Sequence, residues 1–390
     1  MKEKLHDYID KNSKDIVGLA DHIFDNPELG TQEYEASKLL TNLLKEKGFE
    51  VEMPIGGFDT AFRATYQSGN GGPSIGLLCE YDALENLGHA CGHHMQGPSI
   101  VYAAIALKEV IKSENYKIVV YGTPAEETIS GKVHMIKNGC FKDIDLALMM
   151  HGSPTTTTDV KSLALSNFKI NFHGKSSHAA LKPEDGRSAL DGVLMLANGI
   201  EYLREHIKDD VRIHYSITNG GGPANVVPSL ATLKVSIRSY DRVYLDNVIE
   251  RFKKIVQGAG LITETRPEII HEKSLNNKIP VIRLNEILME NAELVNAPKI
   301  RPPREKTGST DFGNLMYLIP GSCIRISFVP EGSSSHSEEY IKAGKSKEAH
   351  DATIYAAKIL ADTAYDIIIN PELLVEIQDE FNKNKKNNNQ

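Results

Sequence analysis

The chain has 390 residues with 44 basic and 52 acidic side chains, so its formal net charge at pH 7 is −8. This balance disfavours a general nucleic-acid-binding protein, which needs a basic surface to displace phosphate counterions. The four cysteines are too few and too scattered for a disulfide framework, which favours a reducing compartment. The N-terminus has no apolar core typical of a signal peptide, and no apolar run approaches the ~20 residues that span a bilayer. We therefore expect a cytoplasmic protein without a membrane partner.

Helices and strands alternate along the first part of the chain. Apolar periodicity predicts helices over 3–24 and 32–47, and short apolar runs predict strands over 74–81, 116–122 and 144–151. This alternation is typical of an α/β fold with a mostly parallel central sheet flanked by helices.

The pattern changes near residue 160, where strands and helices follow the order βαββαβ of a small ferredoxin-like α+β unit. After Pro280 the α/β pattern returns. We therefore predict one discontinuous domain over 1–162 and 278–380, interrupted by an inserted domain over 163–277. The polar, low-complexity segment 381–390 is predicted to be a disordered tail.

The densest group of chemically active side chains lies in residues 79–94, CEYDALENLGHACGHH, directly after a predicted strand. Sheets of this class bind ligands at the carboxyl ends of their strands. Cys91 and His93 can turn toward one point because Gly92 between them relaxes the backbone, and thiolate with imidazole is a strong donor pair for zinc. A loop with incidental polar residues is the alternative interpretation.

Two further strand ends carry candidate ligands. Glu126 and Glu127 follow the strand over 116–122, and His151 ends the strand over 144–151. A bound dication would hold one carboxylate as a ligand and leave the other free to transfer protons. Taken alone, Glu126 and Glu127 could lie in a solvated turn, and His151 could be a core histidine. The convergence of three strand ends favours a metal site. His336 lies in a serine-rich segment that, taken alone, indicates a flexible loop.

The inserted domain also carries polar candidates. His178 follows a predicted strand, and Asn225 lies in a glycine-rich turn before the strand that contains Arg238. Asn225 and Arg238 could bind a carboxylate or a carbonyl. The alternative is a hairpin loop and a surface arginine.

Six motifs, in this order, resemble the dinuclear metallopeptidase and amidohydrolase family of aminoacylase, acetylornithine deacetylase and carboxypeptidase G. They are HACGHH, GTPAEE, LMMHG, SSHAA with GRSALD, GGPANVVPSLATLKVSIRS, and GSTDFGNL. The resemblance covers about residues 15–370. The chain most resembles the branch with a cysteine at the metal site, which includes hippurate hydrolase, auxin-conjugate amidohydrolases and p-aminobenzoyl-glutamate hydrolase.

The resemblance implies a role for each matching residue. It implies two divalent ions per subunit (Zn, or Mn, Co or Ni), with Cys91 as the bridging ligand. It implies that the remaining ligands are His93, Glu127, His151 and His336. Glu126 would be the general base, and Asp82 would orient a ligand without binding metal. Further, the insert would be a lid and dimerisation domain, whose His178 reaches the partner's active site in a homodimer and whose Asn225 and Arg238 bind substrate.

Two positions depart from the family pattern. Glu80 stands where the wider family has a histidine, and His94 stands where the cysteine branch usually has Asn or Asp. His94 could be an extra metal ligand or a substrate contact.

The implied activity is metal-assisted hydrolysis of the amide bond of N-acyl amino acids or dipeptides, including compounds like p-aminobenzoyl-glutamate. Two alternatives stay open. One is a cysteine hydrolase with Cys91 as nucleophile and a nearby histidine as base. The other is a catalytically silent binding protein on the same scaffold.

Overall fold

The computed structural model describes residues 1–388. The helices are α1 (Lys2–Lys11), α2 (Ser13–Asp25), α3 (Tyr34–Glu46), α4 (Gln96–Val110), α5 (Glu126–Ile129), α6 (Gly131–Lys137), α7 (Ala189–Arg204), α8 (Arg242–Thr263), α9 (Ile282–Leu294), α10 (Phe312–Leu315), α11 (Glu338–Ala343), α12 (Lys347–Ile369) and α13 (Pro371–Asn388). The strands are β1 (Glu50–Glu52), β2 (Phe62–Ser68), β3 (Ser74–Cys79), β4 (Tyr116–Gly122), β5 (Leu146–Ser153), β6 (Ala164–His173), β7 (Arg212–Asn219), β8 (Leu230–Ser239), β9 (Arg266–Leu275) and β10 (Gly321–Ser327). Within residues 1–388, no helix combines the length and the apolar character needed to cross a membrane.

The chain divides into two compact units. The first comprises Met1–Lys161 and Lys278–Asn387, and the second comprises Ser162–Asn277. Each unit has its own hydrophobic core.

The first unit is built on a six-stranded sheet with the order β1-β2-β4-β3-β5-β10. Strands β4, β3, β5 and β10 pair in parallel, whereas β1 and β2 form an antiparallel edge. All six residues of β3 are buried, as expected for a central strand covered on both faces. Helix α4 is buried along Gln96–Leu107 and packs against α12. The predicted fold class, a mostly parallel sheet flanked by helices, is confirmed. The parallel strands place their carboxyl ends along one edge of the sheet.

The second unit has a four-stranded antiparallel sheet with the order β7-β8-β6-β9. Along the chain its elements follow the order β6-α7-β7-β8-α8-β9, which is the ferredoxin-like arrangement. Helices α7 and α8 pack together, and their apolar side chains share one core with the sheet. The predicted ferredoxin-like unit is therefore present in the structure.

Two sequence predictions need correction. The single helix predicted over 3–24 is two helices, because Asn12 leaves the helical conformation between α1 and α2, and its side-chain amide donates to the Tyr8 carbonyl at 2.7 Å. The apolar periodicity continues across this break, so the pattern alone did not reveal it.

The tail prediction is also wrong for residues 381–388, because α13 continues to Asn388. Phe381 is only 5% exposed and joins the core of the first unit with Ile377, one helical turn earlier. The Asn384 side chain donates to the Pro280 carbonyl at 2.9 Å. These contacts anchor a segment whose composition is polar; residues 389 and 390 lie outside the described part of the chain.

Candidate metal centre

The loop after β3 brings Cys91 and His93 into the interior of the first unit. Gly92 between them has a φ of 87°, a left-handed conformation that other residues rarely adopt. The chain then enters a short 3-10 turn that begins at His93. Cys91 is 8% exposed and His93 is 1% exposed, so both donors are shielded from solvent.

Asp82 connects two of the predicted ligands. Its Oδ1 lies 3.1 Å from Nδ1 of His93, and its Oδ2 accepts a hydrogen bond from the backbone N–H of Glu127 at 3.0 Å. Engaging Nδ1 leaves Nε2 of His93 as the outward donor atom. This is the contact expected of a residue that orients ligands without binding metal.

Glu126 and Glu127 begin the short helix α5 after β4. Ala125 before them has a φ of 60°, and its N–H donates to Oε1 of the buried Glu33 at 2.8 Å. This turn directs both glutamates toward the loop that holds Cys91. Burial together with Glu80, Asp311 and Glu127 raises the pKa of Glu126 well above its usual value.

His151 and His336 approach from two other elements. His151 lies on β5; its Nδ1 faces the Gly152 carbonyl at 2.8 Å, and its Nε2 lies 3.4 Å from Sγ of Cys91. Burial and the charges of Arg325 and His93 lower the pKa of His151 to about 3, which favours the neutral imidazole that a metal requires. His336 follows β10, and its Nε2 lies 3.1 Å from Oε1 of Glu127.

The donor atoms of the predicted ligands form two sets that share Cys91. One set is Cys91, His93 and His151, the other is Cys91, Glu127 and His336, and within each set all donor atoms lie within 4.8 Å of one another. Glu126 belongs to a third set, with His93 and Glu127.

Two buried donor atoms at this centre contact charged neighbours: His93 Nε2 lies 3.2 Å from Oε2 of Glu80, and Glu127 Oε1 lies 3.1 Å from Nε2 of His336. Cys, His and carboxylate donors are the ones that zinc binds, and here they lie close enough together to share an ion. The residues present therefore fit a pair of divalent ions. The ligand roles of the individual residues stay predictions.

A buried charge network lies beside the centre and was not predicted. Nζ of Lys132, on α6, contacts Glu80 and lies 2.9 Å from Oδ1 of Asp311; all three side chains are at most 2% exposed. Burial raises the pKa of Glu80, but the charges of Lys132 and two histidines outweigh it and hold that pKa at about 2. Asp311 lies in the motif GSTDFGNL, which could have drawn attention to it, whereas nothing in the sequence marks Lys132.

His94 is not part of the donor sets. Its Nε2 faces the Gly344 carbonyl at 2.8 Å, and its ring packs against Phe24 with centroids 4.8 Å apart. These contacts answer the question that the sequence left open: His94 packs against the backbone and an aromatic ring.

His178, Asn225 and Arg238 all belong to the second unit. The exposed residues His178 and Asn225 lie on facing loops, where His178 pairs with Val226 and the Asn225 carbonyl accepts from the Ala179 N–H at 3.0 Å. Arg238 lies on β8 between Leu165 and Arg212 of the neighbouring strands, and it is partly buried. The structure thus brings His178 and Asn225 together.

A cavity of about 270 Å³ opens beside the centre in the first unit. Its wall includes Cys91, Glu126, Glu127, His151 and His336. It also includes three cations that sequence reasoning missed, Lys278, Arg304 and Arg325.

Comparisons with known proteins concern the inserted domain, the fold and the sequence as a whole. Residues 163–263 match the model of a peptidase dimerisation domain of the M20 family. The fold resembles a dinuclear metal-binding M20 peptidase from Bacillus subtilis, with a TM-score of 0.69 and 17% identity, covering 92% of this chain and 99% of that one.

Two curated relatives match almost the whole chain. It is 29% identical to one of the subunits of p-aminobenzoyl-glutamate hydrolase from Escherichia coli (strain K12), covering 96% of this chain and 94% of the relative. It is 32% identical to the Xaa-Arg dipeptidase of Mus musculus, covering 98% of this chain and 92% of the relative. Both relatives are named for cleaving amide bonds, and with this identity over nearly its full length the chain belongs to the M20 peptidase family.

Proposed function

We propose that this protein hydrolyses the amide bond of N-acyl amino acids or dipeptides with the help of two divalent metal ions. The observation that carries the proposal is the pair of donor sets that share Cys91. The chemistry of the donors, which are one thiol, three imidazoles and one carboxylate, supports it. The ligands proposed are Cys91, His93, Glu127, His151 and His336. The donor types suit Zn²⁺, and Mn²⁺, Co²⁺ or Ni²⁺ are alternatives for the same site.

When bound, two such ions polarise the scissile carbonyl and lower the pKa of a water molecule toward neutrality. Glu126 is the proposed general base, because it lies beside the centre but outside both donor sets that contain Cys91. Its carboxylate accepts a proton from the attacking water and returns it to the leaving nitrogen. Asp82 holds His93 and the start of α5 in place for this step.

The roles of the second unit are part of the proposal. We assign it as a lid and dimerisation domain and the first unit as the catalytic domain; the match to a peptidase dimerisation domain supports this. In a homodimer, His178 would stabilise the developing oxyanion of the partner's active site, and Asn225 and Arg238 would bind the substrate carboxylate. Mixing Glu126→Gln and His178→Ala single variants should then restore activity through hybrid dimers. No recovery after demonstrated subunit exchange would contradict this assignment.

We also propose a cytoplasmic location, since the free thiol of Cys91 needs a reducing environment to act as a ligand.

The main experiment removes and restores metal. The purified protein is stripped with a chelator, reloaded with Zn²⁺, Mn²⁺ or Co²⁺, and assayed on N-benzoyl amino acids, p-aminobenzoyl-glutamate and dipeptides that end in arginine. The last two represent the activities named for the relatives. Hydrolysis should disappear with the metal and return on reloading. Glu126→Gln should lower kcat by about 10²–10⁴-fold while metal binding persists. Glu46→Gln, at an exposed position on α3, is the matched control. A Glu126→Gln variant with full activity would contradict the assignment.

A second candidate function rests on one contact, the 3.4 Å between Cys91 Sγ and His151 Nε2. This is the arrangement of a cysteine nucleophile with a histidine base. The same chelator experiment separates the two functions, because a cysteine hydrolase would keep its activity without metal. A protein that hydrolyses none of the compounds in either state would instead be a binding protein on this scaffold.

A further inference from the structure

Two arginines line the cavity beside the candidate metal centre and have no role in the function proposed above. They are Arg304, in the segment before α10, and Arg325, on β10. We call them the arginine pair. Arg304 is 37% exposed and Arg325 is 17% exposed, so both combine partial burial with access from the cavity.

The arginine pair shares a single carboxylate. Nε of Arg304 donates to Oδ1 of Asp159 at 2.8 Å, and Nε of Arg325 donates to Oδ2 of Asp159 at 2.9 Å. Asp159 is 1% exposed and also accepts from Nζ of Lys278 at 2.8 Å. Within residues 1–388, Asp159 is the one carboxylate within salt-bridge distance of either arginine. One negative charge cannot neutralise two guanidinium groups, so the pair adds net positive charge to the cavity wall.

The position of Arg325 relates this charge to the metal centre. In the parallel pairing of β5 with β10, Arg325 is the direct partner of His151. Paired residues on adjacent strands point to the same face of the sheet, with backbones about 4.8 Å apart. The cationic wall therefore begins one strand away from a proposed metal ligand. Glu126 and Glu127 line the same cavity, so its wall carries both anionic and cationic groups.

This arrangement favours an anion beside the arginine pair. Asp159 is the one carboxylate that contacts the arginine pair among the described residues, and it is shared with Lys278, so part of the positive charge has no direct carboxylate contact. Guanidinium groups bind carboxylates in a planar, two-pronged geometry. Arg304 contacts Asp159 through Nη2 at 2.7 Å as well as through Nε, so its Nη1 stays for a second acceptor, whereas Arg325 donates to Asp159 through Nε alone. A substrate carboxylate would complete the charge balance.

We propose that the arginine pair binds a second carboxylate of the substrate, so that the preferred substrates are amides that carry two carboxylates. This proposal rests on the amide-hydrolase function proposed above. The first carboxylate is the one assigned to Asn225 and Arg238. The second is carried either on the side chain of the amino acid or on the acyl group.

Matched substrate pairs test the proposal and distinguish the two positions. N-benzoyl-glutamate is compared with N-benzoyl-glutamine, and N-succinyl-alanine with N-succinamoyl-alanine; each pair differs by one carboxylate replaced by an amide of similar size. The metal-loaded enzyme should show a kcat/KM at least tenfold higher for the acid in one pair, which corresponds to about 1.4 kcal/mol. The pair that shows the preference identifies where the carboxylate lies.

Variants connect the preference to the arginine pair. Arg304→Gln should bring the ratio of kcat/KM for the acid to kcat/KM for the amide close to 1. Arg304→Lys should retain part of the preference for the acid, because the positive charge remains. Arg301→Gln is the matched control, because Arg301 lies three residues away, pairs with Glu331 at 2.9 Å and does not line the cavity. If Arg304→Gln does not fold, the dependence of the wild-type ratio on salt replaces it, since an ionic preference should decrease as screening increases.

Suppose that the enzyme needs metal for hydrolysis but that kcat/KM for the acid exceeds that for the amide by less than threefold in both substrate pairs. This result would overturn the carboxylate proposal and leave the amide-hydrolase function standing. An equal decrease of the ratio in Arg304→Gln and Arg301→Gln would also overturn the carboxylate proposal. If the metal-loaded protein hydrolyses no amide, the proposed function fails instead. Calorimetric binding of the same pairs to the metal-free protein then decides the carboxylate site separately: equal affinity for acid and amide overturns it, and tighter binding of the acid supports it.

Discussion

Replacing Lys132 by methionine should destabilise the first unit strongly. The side chain of Lys132 is fully buried on α6 and contacts two buried carboxylates, Glu80 and Asp311. Its backbone N–H also donates to Oδ2 of Asp311 at 3.0 Å. Methionine has a similar volume and keeps the backbone contact, so the change removes the charge and little else.

The size of the effect follows from the geometry. Unit charges at the 2.9 Å that separates Lys132 from Asp311 interact by about 6 kcal/mol at an effective dielectric constant of about 20. The cost of desolvating the lysine opposes this term. Breaking a buried ion pair by removing one partner typically costs about 3–5 kcal/mol, because the other charge stays buried and unpaired. We therefore expect Lys132→Met to lower the free energy of unfolding by about 3–5 kcal/mol.

Urea unfolding of the metal-free protein, followed by circular dichroism, measures this difference. Lys137→Met is the matched control, because Lys137 ends the same helix at an exposed position and should cost less than about 0.5 kcal/mol. Adding Glu80→Gln to Lys132→Met should recover part of the loss, since one uncompensated carboxylate disappears. A loss below 1 kcal/mol for Lys132→Met, or no recovery in the double variant, would refute the reasoning.

Three further predictions concern other contacts. Asp82→Ala should weaken metal binding about 10–100-fold, measured by competition with a chelator, because the ligands lose their orientation; unchanged affinity would contradict this. Burial raises the pKa of Asp159, but the arginine pair and Lys278 outweigh it and hold that pKa far below its usual value. The resulting stability is full above the unfolded pKa of about 3.9 and is lost as the pH falls. Asp159→Asn should therefore lower the urea midpoint most at pH 7 and by a smaller amount at pH 3, where only the first part of this stabilisation is lost; an equal effect at both would contradict it. Phe381→Ala should cost about 3 kcal/mol of unfolding free energy by leaving a cavity, whereas exposed Lys383→Ala should cost little; a negligible Phe381 effect would favour the disordered tail.

The sequence predicted the parts of the site that lie at strand ends. Cys91, His93 and Glu127 follow buried strands, and His151 lies near the end of one. Parallel strands bring their carboxyl ends to one edge of a sheet. The local sequence gave only a weak indication that His336 belongs to the site, because a serine-rich loop gives no sign of where it lies. The prediction for His336 therefore depended on the family resemblance. The fold class and the ferredoxin-like insert followed in the same way from element order.

The contacts that the sequence did not predict join residues far apart in the chain. Lys132 meets Asp311 across 179 positions, and Arg325 meets Asp159 across 166 positions. Charge patterns reveal partners only within a helix or a hairpin, so such pairs appear only after folding. The last helix was missed for a related reason: its composition is polar, and its stability comes from Phe381 in a core that distant segments form.

The central claim is that Cys91 belongs to both metal sites, and a metal count tests it most directly. Wild-type protein and the variants Cys91→Ser and Cys140→Ser are reloaded with Zn²⁺, dialysed, and measured for bound zinc per chain. Cys140 is a half-buried cysteine outside the donor sets and serves as the control. The account predicts two ions for the wild type and for Cys140→Ser, with loss or marked weakening of both in Cys91→Ser. Two tightly bound ions in Cys91→Ser, or fewer than one in the wild type, would contradict it.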